Sequence, residues 1–148
     1  MQRANGIGRL AVAALALYAL VVGVIGFFPT PVDSRASPLI QRFLVRAHDL
    51  GIPAWFDYGF IEFTANIFLF VPLGGLLVLA LGPRRTWLAV LVGILISLTI
   101  EFAQAFLLPE RFPSAMDVLA NSFGTALGAT VALALVAPQP RVARSVSG

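Results

Sequence analysis

The sequence contains no cysteine, a single histidine and few charged residues. Without cysteine there is no disulfide, no thiolate nucleophile and no thiolate metal ligand. Charged residues make up 11% of the 148 residues, whereas hydrophobic residues make up 59%. A soluble domain of this length needs far more charge to cover its surface. The composition therefore argues against an ordinary soluble domain and directs attention to membrane spans.

Four long apolar runs are present. Each approaches the roughly 20 apolar residues that a helix needs to cross about 30 Å of hydrocarbon. The predicted spans cover about residues 10–28, 60–82, 86–108 and 116–137. The first run is too long for a secretory signal and lacks a small-residue cleavage site, so it is predicted to be retained. We expect an all-α membrane protein with four transmembrane helices in one domain, residues 1–148, ending in a flexible tail at 138–148.

The segment between the first two spans has the pattern of a short amphipathic helix. Its apolar residues recur at helical spacing, while its arginines lie mostly off that stripe. The apolar positions are Leu39, Ile40, Phe43, Leu44, Ala47 and Leu50. A helix of this length cannot cross a bilayer, so it is predicted to lie at the membrane surface or over the mouth of the bundle. Aromatic residues follow at 55–60 and predict where the second span enters the membrane.

The ten basic residues are unevenly divided between the two sides of a four-span protein. One side, which holds both termini and the turn after the second span, carries Arg3, Arg9, Arg84, Arg85, Arg141 and Arg144. The other side carries Arg35, Arg42, Arg46 and Arg111. By the positive-inside rule, both termini are predicted to be cytoplasmic, with the protein in the cell membrane. No basic cluster accompanies a folded soluble module, so a nucleic-acid partner is not expected.

Several polar side chains interrupt the spans near their predicted outer ends. Because successive spans run in opposite directions, these side chains are expected to meet in one layer. They are Glu62, Asn66, Glu101, Gln104, Asp117 and Asn121, together with Arg111 of the loop between the last two spans. An aspartate facing lipid at a span centre costs about 2.5–3.5 kcal/mol, so these groups are expected to face inward. Arg111 is expected to be the counter-ion of Glu101 or Asp117.

Two interpretations of this layer stay open. Intramembrane amides such as Asn66 and Asn121 often serve only to join helices, and Gly124 with Gly128 forms a small-residue packing pair. The convergence of several acids with an arginine favours a functional site. Glu101 and Asp117 are the candidate catalytic groups, as general base and acid.

Other kinds of site find little support in the sequence. The sequence shows no His/Cys/Asp spacing for a metal and no phosphate-binding glycine loop, so neither a metal nor a cofactor is expected. Ser114 and Ser122 lack the sequence context of a nucleophile.

Several separate blocks of the sequence resemble the VanZ-like family. They are NIFLFVPLG at 66–74, EFAQ at 101–104, PER at 109–111, and the residues Asp117, Asn121, Gly124 and Gly128. The resemblance covers about half of the chain, and it departs from the family at Asp33 and His48, whose spacing does not fit the usual motif. It implies a small bacterial integral membrane protein of the cell envelope, in a family with one member linked to resistance to the glycopeptide teicoplanin.

The resemblance supplies no mechanism, but it supports a set of binding residues. They are Asn66, Glu101, Gln104, Arg111, Asp117 and Asn121. Our leading hypothesis is that they bind membrane lipid or a lipid-linked envelope precursor at the outer leaflet. The alternative is a membrane-embedded transferase or hydrolase acting on lipid head groups, with Glu101 or Asp117 as base and Arg111 holding phosphate. A channel or transporter is a third hypothesis, for which four short helices leave little room.

Overall fold

The computed structural model describes residues 2–27, 37–107 and 114–136. Regular structure in these ranges is entirely helical. The helices are α1 (Gln2–Gly26), α2 (Ser37–Asp49), α3 (Tyr58–Leu81), α4 (Thr86–Leu107) and α5 (Ala115–Val136). Four of them, α1 and α3 to α5, are long and apolar enough to cross a membrane, which confirms the four predicted helices. Arg111 and the predicted tail at 138–148 lie outside the described residues.

The first helix is longer than its apolar run. It begins at Gln2 and ends at Gly26, whereas its apolar window covers Arg9–Gly26. Hydropathy located only the part that can lie in hydrocarbon, and the polar first two turns extend beyond it. A helix can continue past the membrane boundary because its backbone hydrogen bonds are made within the helix.

Helix α3 has defined ends and continues through Pro72. At its start, Oδ1 of Asp57 accepts a hydrogen bond from the backbone N–H of Phe60 over 2.9 Å, which satisfies a donor that has no partner inside the helix. At its end, Gly82 has a φ of 88°, a value that glycine adopts without strain. A single turn at Pro83–Arg85 then leads into α4. This short connection makes α3 and α4 antiparallel neighbours.

Helix α3 lies at the centre of the bundle, where it contacts α1, α4 and α5. Its interface with α5 is the most extensive and brings the two backbones together. A Cβ atom at Gly124 would overlap the carbonyl oxygen of Ile67, and one at Gly128 would overlap that of Val71. Small residues permit this close approach, so the Gly124–Gly128 pair acts as a packing pair.

The buried apolar core is small and lies among the long helices. Its fully buried members include Val22 of α1 and Phe70, Leu73 and Val78 of α3. Many other large apolar side chains are exposed on the outside of the bundle. A soluble protein would bury such residues, whereas a membrane protein presents them to lipid tails.

Along the chain, helix α2 comes between the first two long helices, α1 and α3, and it is amphipathic. It buries Leu44 and Ala47, while Leu39 and, just after the end of the helix, Leu50 are exposed. Phe43 meets the ring of Phe56 edge to face, with ring centroids 6.4 Å apart. The short helix exists as the sequence suggested; its position at the membrane surface stays a prediction.

Candidate functional site

A polar cavity of about 60 Å³ lies at the end of the bundle where α1 and α4 end and α3 and α5 begin. This volume exceeds the roughly 10–15 Å³ that one water molecule requires but is far below the roughly 300–1,000 Å³ of small-ligand sites, so it has room for a small donor group only. The polar side chains that line it are Glu62 and Asn66 of α3, Glu101 and Gln104 of α4, and Asp117 and Asn121 of α5. The structure thus places side by side every residue of the predicted layer except Arg111, which lies outside the described residues.

Glu101 belongs to α4, and its buried carboxylate lies against the start of α5. It is 7% exposed, and its Oε2 accepts a hydrogen bond from the backbone N–H of Ser114 over 2.7 Å. Ser114 precedes α5, and its carbonyl oxygen accepts hydrogen bonds from the backbone N–H groups of Asp117 and Val118. The N-terminus of a helix carries a partial positive charge, which favours a carboxylate there. Glu101 therefore ties the last turns of α4 to the first turn of α5.

Gln104 makes the corresponding connection to α1. Its side chain is 6% exposed, and its Nε2 donates to the carbonyl oxygen of Gly26 over 2.9 Å. Gly26 is the last residue of α1, where carbonyl groups lack partners inside the helix. Gln104 satisfies one of these carbonyls and joins α4 to α1 beside the cavity.

Only the nitrogen end of the Asn121 side-chain amide has a hydrogen-bond partner among the described residues. Its Nδ2 donates to Oγ of the buried Ser97 over 2.9 Å, which joins α5 to α4. Its Oδ1 is buried and has no hydrogen-bond partner among the described residues. A buried acceptor without a donor costs about 1–3 kcal/mol, and native proteins keep few of them. Asn121 lines the cavity, so a water molecule or ligand that reached its oxygen would supply the missing donor.

The other three polar residues are more accessible. Glu62 is exposed, and Asn66 and Asp117 are half-buried. Asp117 lies in the first turn of α5, where the partial positive charge at the helix start favours its carboxylate. These residues form the open side of the cavity, while Glu101, Gln104 and Asn121 form its buried side.

The buried face of α4 explains why the polar residues point inward. Small residues Ala89 and Gly93 begin a stripe that continues one turn at a time through Ser97 to Glu101. A Cβ atom at Gly93 would overlap the side chain of Thr125, so α5 lies close against this stripe. Residues spaced four apart share a helix face, and the inward direction is set by the small residues.

Sequence reasoning missed three contributors to the site. Ser97 accepts a hydrogen bond from Asn121, Ser114 donates its backbone N–H to Glu101, and Tyr18 donates from its hydroxyl to the carbonyl oxygen of Leu69 over 2.9 Å. Ser97 had a detectable signal, since it lies one turn before Glu101 on the same face. Ser114 contributes only a backbone N–H, a group that the residue type does not reveal.

Carboxylates, which accept hydrogen bonds, and side-chain amides form the polar lining of the cavity. Its described lining contains three carboxylates and three side-chain amides, and the basic residues of the described ranges do not line it. No group of three or more His, Cys, Asp and Glu side chains in those ranges is arranged to hold a metal ion. Ser122 donates its hydroxyl to the carbonyl oxygen of Val118 within its own helix. The arrangement suits a ligand that donates hydrogen bonds, such as a hydroxyl or ammonium group.

Comparison with known proteins identifies one family. The sequence profile of the family described as VanZ/LLP1 matches residues 15–136. The match covers every residue that lines the cavity. No curated protein and no solved structure matches the chain significantly.

Proposed function

The chain belongs to the VanZ/LLP1 family, and we propose that this multi-pass membrane protein binds a lipid or lipid-linked envelope precursor through its polar cavity. The observation that carries the proposal is the buried Oδ1 of Asn121, which has no hydrogen-bond partner among the described residues. Ser97 holds the other end of the amide, so Oδ1 is kept in place for an incoming donor.

The surrounding side chains indicate which head groups fit. Carboxylates and amides accept hydrogen bonds from hydroxyl and ammonium groups. Sugar-bearing lipids and amine-bearing lipids share this donor chemistry. Phosphate, which only accepts, would need a cation at the mouth, the role predicted for Arg111. The proposed ligand is therefore a lipid whose head group presents hydroxyl or amine donors.

The position of the cavity supports an outer-leaflet site. Six of the ten arginines fall on the side of the chain termini, the side opposite the cavity. The positive-inside rule then places both termini in the cytoplasm and the cavity near the outer surface of the cell membrane. There the protein would meet head groups and lipid-linked precursors of the outer leaflet.

Lipid retention by purified protein tests the proposal. The variant is Asn121→Leu, which removes the acceptor at similar size. The matched control is Thr130→Val, because Thr130 is exposed on the same helix and bonds only to the carbonyl oxygen of Ala126 in its own helix. Native mass spectrometry after purification in mild detergent should show one head-group class enriched on the wild type and on Thr130→Val. We expect Asn121→Leu to retain about ten-fold less of it.

Two outcomes would count against lipid binding. One is a wild type that carries lipids only in the proportions of the membrane extract. The other is an Asn121→Leu variant that keeps the enriched lipid and only changes in thermal stability, since the polar layer would then serve to join helices.

A second function is favoured by the two carboxylates Glu101 and Asp117, which line the same cavity from different helices. Such a pair suits general acid–base chemistry on a bound head group. Incubation with membrane lipid extract should then give a new product with the wild type that is absent with Glu101→Gln and with Asp117→Asn. Lipid retention without any product would favour binding over catalysis.

A role in teicoplanin resistance would follow if the bound lipid is one that the drug needs at the membrane surface. The wild-type gene should then raise the inhibitory concentration of teicoplanin above that of a deletion strain. Asn121→Leu, expressed to the same level, should leave it at the deletion value. If wild type and variant raise the inhibitory concentration equally, resistance does not depend on the cavity.

A further inference from the structure

An apolar groove of about 400 Å³ lies between α1 and α4. Its walls include Gly23 of α1, Phe27 just after α1, and Leu95 and Thr99 of α4. In the part of the chain that the structure describes, α1 and α4 make few contacts, because each packs mainly on another helix. The groove is thus a gap between two helices and lies within the size range of small-ligand sites, about 300–1,000 Å³.

The groove adjoins the polar cavity. Val22 and Ile100 line both of them. Between the two helices at this point, Gln104 bonds to the carbonyl oxygen of Gly26. The two spaces are therefore neighbours, one lined by acceptor groups and the other apolar, and this order of environments matches the head and tail of an amphiphile.

We propose that this groove holds one hydrocarbon chain of the same lipid whose head group places a hydroxyl or amine donor in the polar cavity. The inference rests on the proposed function and adds that the chain of the lipid is recognised. A helix from a second copy would fill the groove with apolar side chains but would not supply a donor to Oδ1 of Asn121. A lipid supplies both parts in one molecule.

Gly23 is the position that opens the groove. No atom lies within 4 Å of the place that its Cβ would take, so the space beside it is empty of protein. A hydrocarbon chain gains little from the hydrophobic effect when it leaves the bilayer for a protein groove. The groove is therefore expected to select chains by shape, and the polar cavity to provide most of the affinity.

Filling the groove tests this inference. Gly23→Leu places a side chain in the empty space, and Thr99→Phe fills it from the opposite wall. The matched control is Ala14→Leu, because Ala14 is exposed and lies on the opposite face of α1 from Gly23. Each protein is purified from the same cells, and its retained lipids are measured by native mass spectrometry, with thermal stability recorded in parallel.

We expect Gly23→Leu and Thr99→Phe to retain about ten-fold less of the enriched lipid, or to shift it towards shorter chains. Ala14→Leu should match the wild type. The groove is excluded as the chain site if both filling variants keep the same lipid with the same chain lengths while Asn121→Leu loses it. Conversion of a dimer into a monomer by Gly23→Leu would also overturn the inference, because the groove would then be a contact between copies. Failure of the proposed function is distinguishable, since no lipid class would then be enriched even on the wild type.

Discussion

Asn121 and Ser97 form a hydrogen bond between two buried side chains, from Nδ2 to Oγ over 2.9 Å. The bond joins α5 to α4 and fixes the orientation of the amide. Because Ser97 accepts from the nitrogen end, the oxygen end is the one without a partner among the described residues. One contact thus joins two helices and, in the proposed function, leaves the amide oxygen as the acceptor for a ligand.

The first prediction concerns the strength of this contact. Ser97→Ala and Asn121→Ala should each destabilise the protein, and their effects should not add. Interhelical hydrogen bonds in membranes contribute about 0.6 kcal/mol on average and up to about 1.7 kcal/mol, so we expect a coupling free energy in that range. A double-mutant cycle measured by unfolding in mixed micelles gives this value.

Thr99 provides the control for this cycle. Its hydroxyl bonds only to the carbonyl oxygen of Leu95 in its own helix. The pair Thr99→Ala and Asn121→Ala should therefore show additive effects. A coupling of the same size in both cycles would mean that the Ser97 contact is not specific.

The second prediction separates the shape of Glu101 from its charge. Glu101→Gln keeps an oxygen that can accept from the backbone N–H of Ser114, whereas Glu101→Ala leaves that donor without the carboxylate. Hydrogen bonds to charged groups contribute roughly 1.5–3 kcal/mol. We expect Glu101→Ala to lower the free energy of unfolding by about that amount and Glu101→Gln by clearly less.

Hydrogen exchange at the start of α5 measures the local part of this effect. Amides 114–118 should exchange faster in Glu101→Ala than in the wild type, because α4 no longer holds them. The control is Asp49→Ala, an exposed acid at the end of α2, which should leave exchange in α5 unchanged. Equal protection of α5 in all three proteins would contradict the tether.

The third prediction compares Gly128, which has no room for a side chain, with Gly23, which has open space beside it. A methyl group at Gly128 would overlap the carbonyl oxygen of Val71, so Gly128→Ala must push α5 away from α3. Overpacking of this kind costs about 1–3 kcal/mol or more. At Gly23 nothing lies within 4 Å of the added atom, and alanine is favoured over glycine in a helix by roughly 0.5–1 kcal/mol. Gly128→Ala should therefore lower the melting temperature, whereas Gly23→Ala should leave it equal or raise it.

A parallel substitution checks the cause of the Gly128 effect. Gly75 also lies at the α3–α5 interface, but its Cβ would sit 3.5 Å from the carbonyl oxygen of Gly128, an ordinary contact distance. Gly75→Ala should consequently be tolerated. A loss as large as that of Gly128→Ala would indicate that the whole interface, and not backbone overlap at one position, rejects added volume.

Much of the arrangement could be predicted from the sequence because a bilayer restricts it strongly. The lengths of the apolar runs set the four long helices, and their alternating direction placed Asn66, Glu101 and Asn121 at one end of the bundle. The partners of these side chains could not be predicted. Gln104 bonds to the carbonyl oxygen of Gly26, and Glu101 to the N–H of Ser114. Backbone groups exist at every position, so residue type does not indicate which of them will be contacted.

The groove between α1 and α4 was equally invisible in the sequence. Periodicity indicates which face of a helix is apolar, but both lipid and neighbouring helices satisfy an apolar face. Whether α1 packs against α4 or leaves a gap depends on how α1 packs on α3. One contact that sets this packing is the hydrogen bond from the hydroxyl of Tyr18 in α1 to the carbonyl oxygen of Leu69 in α3. A hydroxyl that reaches the backbone of another helix leaves no pattern along the chain.

The last prediction fixes the side of the membrane on which the cavity lies. The chain has no cysteine, so a single introduced cysteine can be labelled without background. Asp49 is exposed in the segment between α1 and α3, and Arg84 is exposed in the turn between α3 and α4. One span separates these positions, so a membrane-impermeant maleimide must reach them from opposite sides. With cytoplasmic termini, Asp49→Cys is labelled in intact spheroplasts and Arg84→Cys only after lysis. The reverse result would place the cavity in the cytoplasmic leaflet, where outer-leaflet precursors cannot reach it, and labelling of both from outside would contradict the four-span arrangement.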